Sequence, residues 1–276
     1  MSARSLKVPK RHIARTSFGY TQYLVITPQG KLAMTKLARL FHNADEVVDA
    51  WRDALRHRDV QGALDIWLDD ELLNALVAYD ALQYQVHLHA IGDAAVKQAL
   101  DALEAMQRIN PPWDRRPVIV HAQLVRDEDL SRFAQLGVIA NIQPLWCYLD
   151  PMNKELIAPR IGHERNNQQY RLRSMVKAGA MIAFGSDWPV TNHVPMQAIG
   201  VPVTRSNPAD GVTQAWVIEQ ALTMDESLTF YTKNAAYQLF RENEFGALEV
   251  GRRAAFLVLD SDPALNPAAK LVKLVS

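Results

Sequence analysis

The sequence predicts an α/β protein in which parallel strands alternate with helices. Short apolar runs of strand length stand at Gln85–His89, Pro117–His121, Val138–Ile142 and Met181–Gly185. Between them lie segments with helical spacing, Ala94–Ile109, Asp127–Leu136 and Asn166–Ala178. The connections have the lengths that strand–helix–strand units need.

The elements follow in order. Lys7–Arg15 is basic and irregular, Tyr20–Thr27 reads as a strand, and Pro28-Gln29-Gly30 as a turn. From Asp45 the spacing of Val47, Val48, Trp51 and Leu55 is helical. A second helix is predicted from about Asp69 to Leu82, with Leu72, Leu73, Leu76 and Val77 on one side. Asp93 is placed to cap the helix that Pro111-Pro112 ends, and acidic residues open the helix at Asp127. A long loop leads to Arg160, and Gly179 is expected to terminate the helix before the fourth strand. Beyond Asp187 come a proline-rich loop, helices at about Thr213–Leu222 and Asp225–Glu242, and a strand-like run at Ala255–Leu259. The division expected is an irregular segment over 1–44, a β/α unit over 45–243 and a strand segment over 244–276.

Composition excludes several classes. The chain has 276 residues, enough to bury a sizeable core, with 30 basic and 30 acidic residues. Zero formal charge gives no reason to expect nucleic acid or an anionic membrane as partner. No apolar run reaches the roughly 18 residues a membrane span needs, and Met1–Lys10 lacks the apolar core of a signal peptide. The single cysteine, Cys147, cannot form an internal disulfide and fits a reducing compartment, so a cytoplasmic location is expected. With no evident base beside it, Cys147 reads as a small apolar residue.

His89, His121 and Asp187 each follow an apolar run, which places all three at strand carboxyl ends. In a parallel barrel those ends face one mouth. Two imidazoles and a carboxylate there form a donor set for a divalent metal, with zinc favoured. His87 shares a face with His89 by strand alternation and is read as structural. Gln143, Trp146, Trp188 and Arg205 are expected to line the mouth and contact substrate.

The words around these residues carry a resemblance: His87-Leu88-His89-Ala90-Ile91-Gly92-Asp93, His121-Ala122-Gln123, Asn141-Ile142-Gln143-Pro144, Arg160-Ile161-Gly162-His163-Glu164-Arg165, Gly185-Ser186-Asp187-Trp188-Pro189-Val190 and Tyr231-Thr232-Lys233-Asn234. From about Asp69 to Pro263 the chain resembles the family-3 amidohydrolases, which include N-substituted formamide deformylases and N-acyl-D-amino-acid deacylase relatives. The resemblance implies a TIM-barrel type (β/α) fold, incomplete here, with a trailing strand of a small β-domain. It implies hydrolysis of an amide-like C–N bond of a small molecule (deformylation or deacylation) by a metal-activated water. His89 and His121 become metal ligands, and Asp187 both ligand and proton carrier.

Three positions depart from the family pattern. The first 80 residues contain no His-x-His, Val120 stands where a Glu is usual, and Ala255 where an Asp is usual. Replacement ligands from His12, His42 or His57 are disfavoured, because none follows a strand. The alternative expectation is a catalytically impaired remnant or interaction module, able to self-associate through exposed sheet edges.

Overall fold

The computed structural model describes residues 23–26, 32–35, 70–207, 211–263 and 271–275. The predicted helix after Asp45, the turn at Pro28-Gln29-Gly30 and the histidines His12, His42 and His57 lie outside them.

Four strands, β3 (Gln85–Ala90), β4 (Val118–His121), β5 (Ile139–Ile142) and β6 (Met181–Phe184), form a parallel sheet in sequence order. Their registers pair His89 with Val120, Val120 with Asn141, and Asn141 with Ala183. A hairpin of β1 (Tyr23–Ile26) and β2 (Leu32–Thr35) extends the sheet antiparallel along β3. β2 is a strand the sequence does not announce. At the other edge, Asn234 Nδ2 donates to the Ile182 carbonyl at 2.7 Å, so a side chain takes up one of the unpaired groups of β6.

The helices α1 (Asp70–Ala81), α2 (Asp93–Ile109) and α3 (Asp127–Gln135) come where the sequence puts them. α2 buries Val96, Leu100, Leu103 and Met106 against Leu88, Ala90 and Ile119 of the sheet. Val118, Ile139 and Ala183 on the other face form a second, smaller cluster with Val120 and Tyr237. The strands are therefore apolar on both faces, as buried parallel strands are.

Neighbouring arginines fasten the entry to β4 in two directions. Arg115 is buried with Asp80 of α1, donating from Nε at 2.7 Å. Asp80 also accepts from Asn110 Nδ2 and Trp113 Nε1. Arg116 donates to the Tyr237 carbonyl at 2.6 Å, pairs with Glu242 at 2.8 Å and lies 3.8 Å from the centroid of the Tyr237 ring.

Several sequence expectations need correction. Asp93 is the first helical residue rather than the cap; Gly92 occupies the cap position, and Asp93 pairs with Arg165 at 2.7 Å. The loop toward Arg160 contains short helical turns, a 3-10 turn at Pro144–Trp146, a π turn at Asn153–Ile157 and α4 (Ala158–Ile161), with α5 (His163–Asn166) next. The helix expected from Asn166 starts only at Leu172, as α6 (Leu172–Lys177). The Tyr170 N–H is drawn away to the Gln123 carbonyl at 2.8 Å, with Tyr170 at φ +51°. Gly179, at φ +80°, ends α6 as expected; its N–H donates to Val176 and that of Ala180 to Met175, which makes a Schellman closure.

After α7 (Pro195–Ala198) and α8 (Val201–Thr204), the helix predicted at Thr213–Leu222 is reduced to a 3-10 turn at Ile218–Gln220. The Trp216 N–H donates to the Arg205 carbonyl and the Leu222 N–H to Pro202, so long-range partners take groups a helix would use. The predicted Asp225–Glu242 helix divides at Thr232 into α9 (Met224–Tyr231), which opens on a Thr223/Glu226 capping box, and α10 (Lys233–Gln238). The trailing run becomes β7 (Phe256–Leu259), paired antiparallel with β8 (Leu271–Val275).

Candidate functional site

His89 is the penultimate residue of β3 and His121 the last of β4, while Asp187 stands three residues beyond β6. All three are at the carboxyl end of the parallel sheet. The two imidazole rings meet edge to face with centroids 4.4 Å apart. Register puts Ala90 opposite His121, and Ala90 belongs to the helix-facing cluster. Regular alternation would send His121 to that side. Instead His121 has φ +75° and Ala122 φ +43°, and this break in the strand accompanies the meeting with His89.

Burial lowers the pKa of both imidazoles. For His121 the neighbouring His89 lowers it further, whereas the Gln143 hydrogen bond opposes the shift. The negative charge of Asp187 raises both, which places the carboxylate within electrostatic reach of the pair. Near neutral pH the two rings are thus uncharged and each has a lone pair to offer. Among the described residues no three or more His, Cys, Asp or Glu side chains are assembled into a ready metal cluster. The two histidines come together; Asp187 stands by them without closing a cage. It adopts φ +55° and leads into exposed Trp188.

The four residues expected to line the mouth have different fates. Trp146 stacks on His121 with centroids 5.5 Å apart and planes 17° from parallel. Trp188 is 68% exposed and free to meet a ligand. Gln143 is 1% exposed, and its Oε1 lies 2.6 Å from His121 Nδ1, so it serves the histidine rather than facing the mouth. Arg205 is fully buried at φ +54°, donating from Nε to the Trp216 carbonyl at 2.9 Å and from Nη1 to Tyr170 at 3.3 Å. These carbonyls, together with the Trp216 ring, hold the guanidinium inside the protein, away from the mouth.

Cys147 is buried, and burial pushes its thiol up to about 12, in keeping with an unreactive core residue. Sequence reasoning missed Asn141, whose Oδ1 accepts from Gln143 Nε2 at 3.1 Å, and Gln238, whose Oε1 accepts from Asn141 Nδ2 at 2.9 Å. Asn141 of β5 could have been found from its two-residue spacing to Gln143, which directly follows that strand; for Gln238 no local signal exists.

His87 is buried, with Nε2 3.1 Å from Gln85 Oε1, and burial lowers its pKa to about 4. A proton that the unfolded chain binds below about pH 6.5 is therefore refused by the folded protein. Stability should be fully present above pH 6.5 and fall as the pH drops toward 4, by on the order of 3 kcal/mol. Urea unfolding at pH 4.5 and 7.5 should show a smaller difference for His87→Gln than for the natural chain. Equal differences would remove His87 as the cause.

The family model described as "Amidohydrolase family" (Amidohydro_3) matches residues 20–275. The protein LONG AFTER FAR-RED 3 of Arabidopsis thaliana is 32% identical over 200 residues, covering 72% of this chain and 33% of its own length. The N-substituted formamide deformylase of Arthrobacter pascens is 29% identical over 195 residues, 70% of this chain and 34% of its own. An uncharacterized metal-dependent hydrolase from Pyrococcus furiosus superposes with a TM-score of 0.57 at 31% identity, over 71% of this chain and 37% of that one. This chain thus spans about a third of the length of the relatives it matches. With the family model covering nearly all of its length, the chain belongs to the amidohydrolase family.

Proposed function

We propose that this chain supplies the His89, His121 and Asp187 portion of a metal-dependent hydrolase acting on amide-like C–N bonds of small molecules. The observation that carries the reading is the meeting of two neutral imidazoles at the carboxyl end of a parallel sheet, with a carboxylate in electrostatic reach. The donor types suit a divalent cation, zinc above all: two imidazole nitrogens and one carboxylate, with room for further ligands. Membership of the amidohydrolase family and the metal-dependent hydrolase among its structural neighbours support the same chemistry.

Bound there, the cation would acidify a water and polarise the scissile carbonyl. The chain's own groups do the rest. Asp187 takes a proton from the attacking water and returns it to the departing amine. Trp146, stacked on His121, walls the reacting centre, and exposed Trp188 gives the substrate an aromatic surface. N-formyl and N-acyl amines are the proposed substrates, by likeness to the formamide deformylase. The reading includes a reducing, cytoplasmic setting, consistent with a lone buried cysteine and with the absence, among the described residues, of a helix able to cross a membrane.

A second reading has the chain metal-poor and catalytically impaired by itself. The lack of a ready three-donor cluster among the described residues favours it. Zinc-loaded protein assayed against N-formyl amines separates the two. Weak turnover that falls at least about tenfold in Asp187→Asn supports the hydrolase, since general acid–base groups contribute 10²–10⁴-fold. Turnover indistinguishable from the zinc blank supports the impaired chain.

A further inference from the structure

Three amides, the buried Gln143 and Gln238 and the half-buried Asn141, form one hydrogen-bonded line that ends on His121. Asn141 Nδ2 donates to Gln238 Oε1 at 2.9 Å, and Gln143 Nε2 donates to Asn141 Oδ1 at 3.1 Å. Gln143 Oε1 then lies 2.6 Å from His121 Nδ1. A primary amide donates only through nitrogen and accepts only through oxygen. The three therefore share one sense and can reverse only together. In the sense present, a carbonyl oxygen faces the ring, so a neutral His121 must carry its proton on Nδ1. Its other nitrogen, Nε2, is left with the lone pair.

The line is held at both ends and at its middle. Gln238 closes α10, and its backbone carbonyl accepts from Gln85 Nε2 of β3 at 2.9 Å. Asn141 and Gln143 are two residues apart, which puts both on one face of the β5 path. A Cβ at Gly185 would stand 3.2 Å from Asn141 Oδ1, so a glycine in the Gly185-Ser186-Asp187 turn leaves room for the middle amide. The line thus runs from α10 across β5 to the end of β4.

We propose that Asn141 and Gln238, acting through Gln143, are positioning residues that fix His121 as the Nδ1–H tautomer and reserve Nε2 for a bound electrophile. Naming that electrophile as a divalent cation rests on the function proposed above. The tautomer does not, because it belongs to the metal-free protein. A ligating histidine whose second nitrogen is held by a hydrogen bond keeps both ring orientation and lone pair ready.

Two-bond ¹H–¹⁵N correlation on metal-free, ¹⁵N-histidine-labelled full chain at pH 8 reads the tautomer, with His121→Gln to assign the signal. The natural chain should show His121 protonated at Nδ1 and bare at Nε2. Asn141→Asp and Gln143→Glu should keep that pattern, since a carboxylate can only accept: in either variant an oxygen stays against the ring, while the amides on its α10 side turn to donate to it. Gln143→Met, whose thioether is only a weak acceptor for the ring N–H, should shift His121 toward the Nε2–H form.

A proton on Nε2 in the natural chain overturns the proposal, as does a tautomer unchanged in Gln143→Met. If that variant does not fold, the natural and Asn141→Asp spectra still decide. Zinc titration of the same samples separates this proposal from the function. A tautomer as expected with no zinc bound refutes the metal site and leaves the positioning line standing. Zinc bound with the opposite tautomer refutes the line alone. Where both hold, Gln143→Met should bind zinc about 10–100-fold more weakly, as is typical when a ligand loses its orienting partner.

Discussion

His121→Ala is expected to abolish zinc binding by the isolated chain, which should otherwise hold at most about one equivalent. Among the described residues only His89 and His121 bring imidazoles together, and no larger group of donors is assembled to compensate. Removing one ring leaves one nitrogen and a carboxylate, too few for a site whose protein ligands number three or four. The loss should exceed the roughly 10–100-fold that follows removal of an orienting partner. Metal analysis after dialysis, with competition against a chelating dye, measures it. Stoichiometric zinc retained by His121→Ala would move the site elsewhere. Two equivalents in the natural chain would mean that ligands come from outside the described residues.

Asp80→Ala should destabilise the fold by about 3–5 kcal/mol, the cost of stranding a buried partner charge. Asp80 is 2% exposed and Arg115 9%. Its carboxylate accepts from Arg115 Nε at 2.7 Å and Nη2 at 3.1 Å, from Asn110 Nδ2 at 2.9 Å and from Trp113 Nε1 at 2.8 Å. These bonds tie α1 to the segment that delivers the chain from α2 into β4, at whose far end His121 stands. Without the carboxylate, the guanidinium is left with the Asn110 and Pro111 carbonyls and the face of the Trp113 ring, none of them a countercharge. The double replacement Asp80→Leu with Arg115→Met should recover much of the loss, since an apolar pair leaves no buried charge unmatched. Urea unfolding measures both. A loss below about 1 kcal/mol for Asp80→Ala would show that the pair is dispensable.

The parallel strands, α1 to α3 and the end of the sheet at which His89, His121 and Asp187 stand are legible in the residue order. Apolar runs bounded by Pro117, Gly137 and Gly179 are local signals, and a strand buried on both faces needs little else to be recognised. Strand alternation likewise separated His87 and His89 from the helix-packed Leu88.

Where the side chains go from there depends on contacts between distant segments. Register and alternation would have turned His121 toward the helices; positive φ at His121 and Ala122 breaks the pleat where its ring meets His89. Gln143 was expected at the mouth and is buried against His121, in a line that reaches back to Gln238 nearly a hundred residues on. Arg205 was expected to meet substrate, yet the carbonyls of Tyr170 and Trp216 enclose it. Backbone bonds from Trp216 to the Arg205 carbonyl and from Leu222 to that of Pro202 dissolve the helix that spacing predicts at Thr213–Leu222, just as Gln123 delays α6. The physical reason is common to all of these. A buried donor or acceptor takes whichever partner the fold brings to it, and satisfying that group outweighs the weak local preference of the segment that carries it.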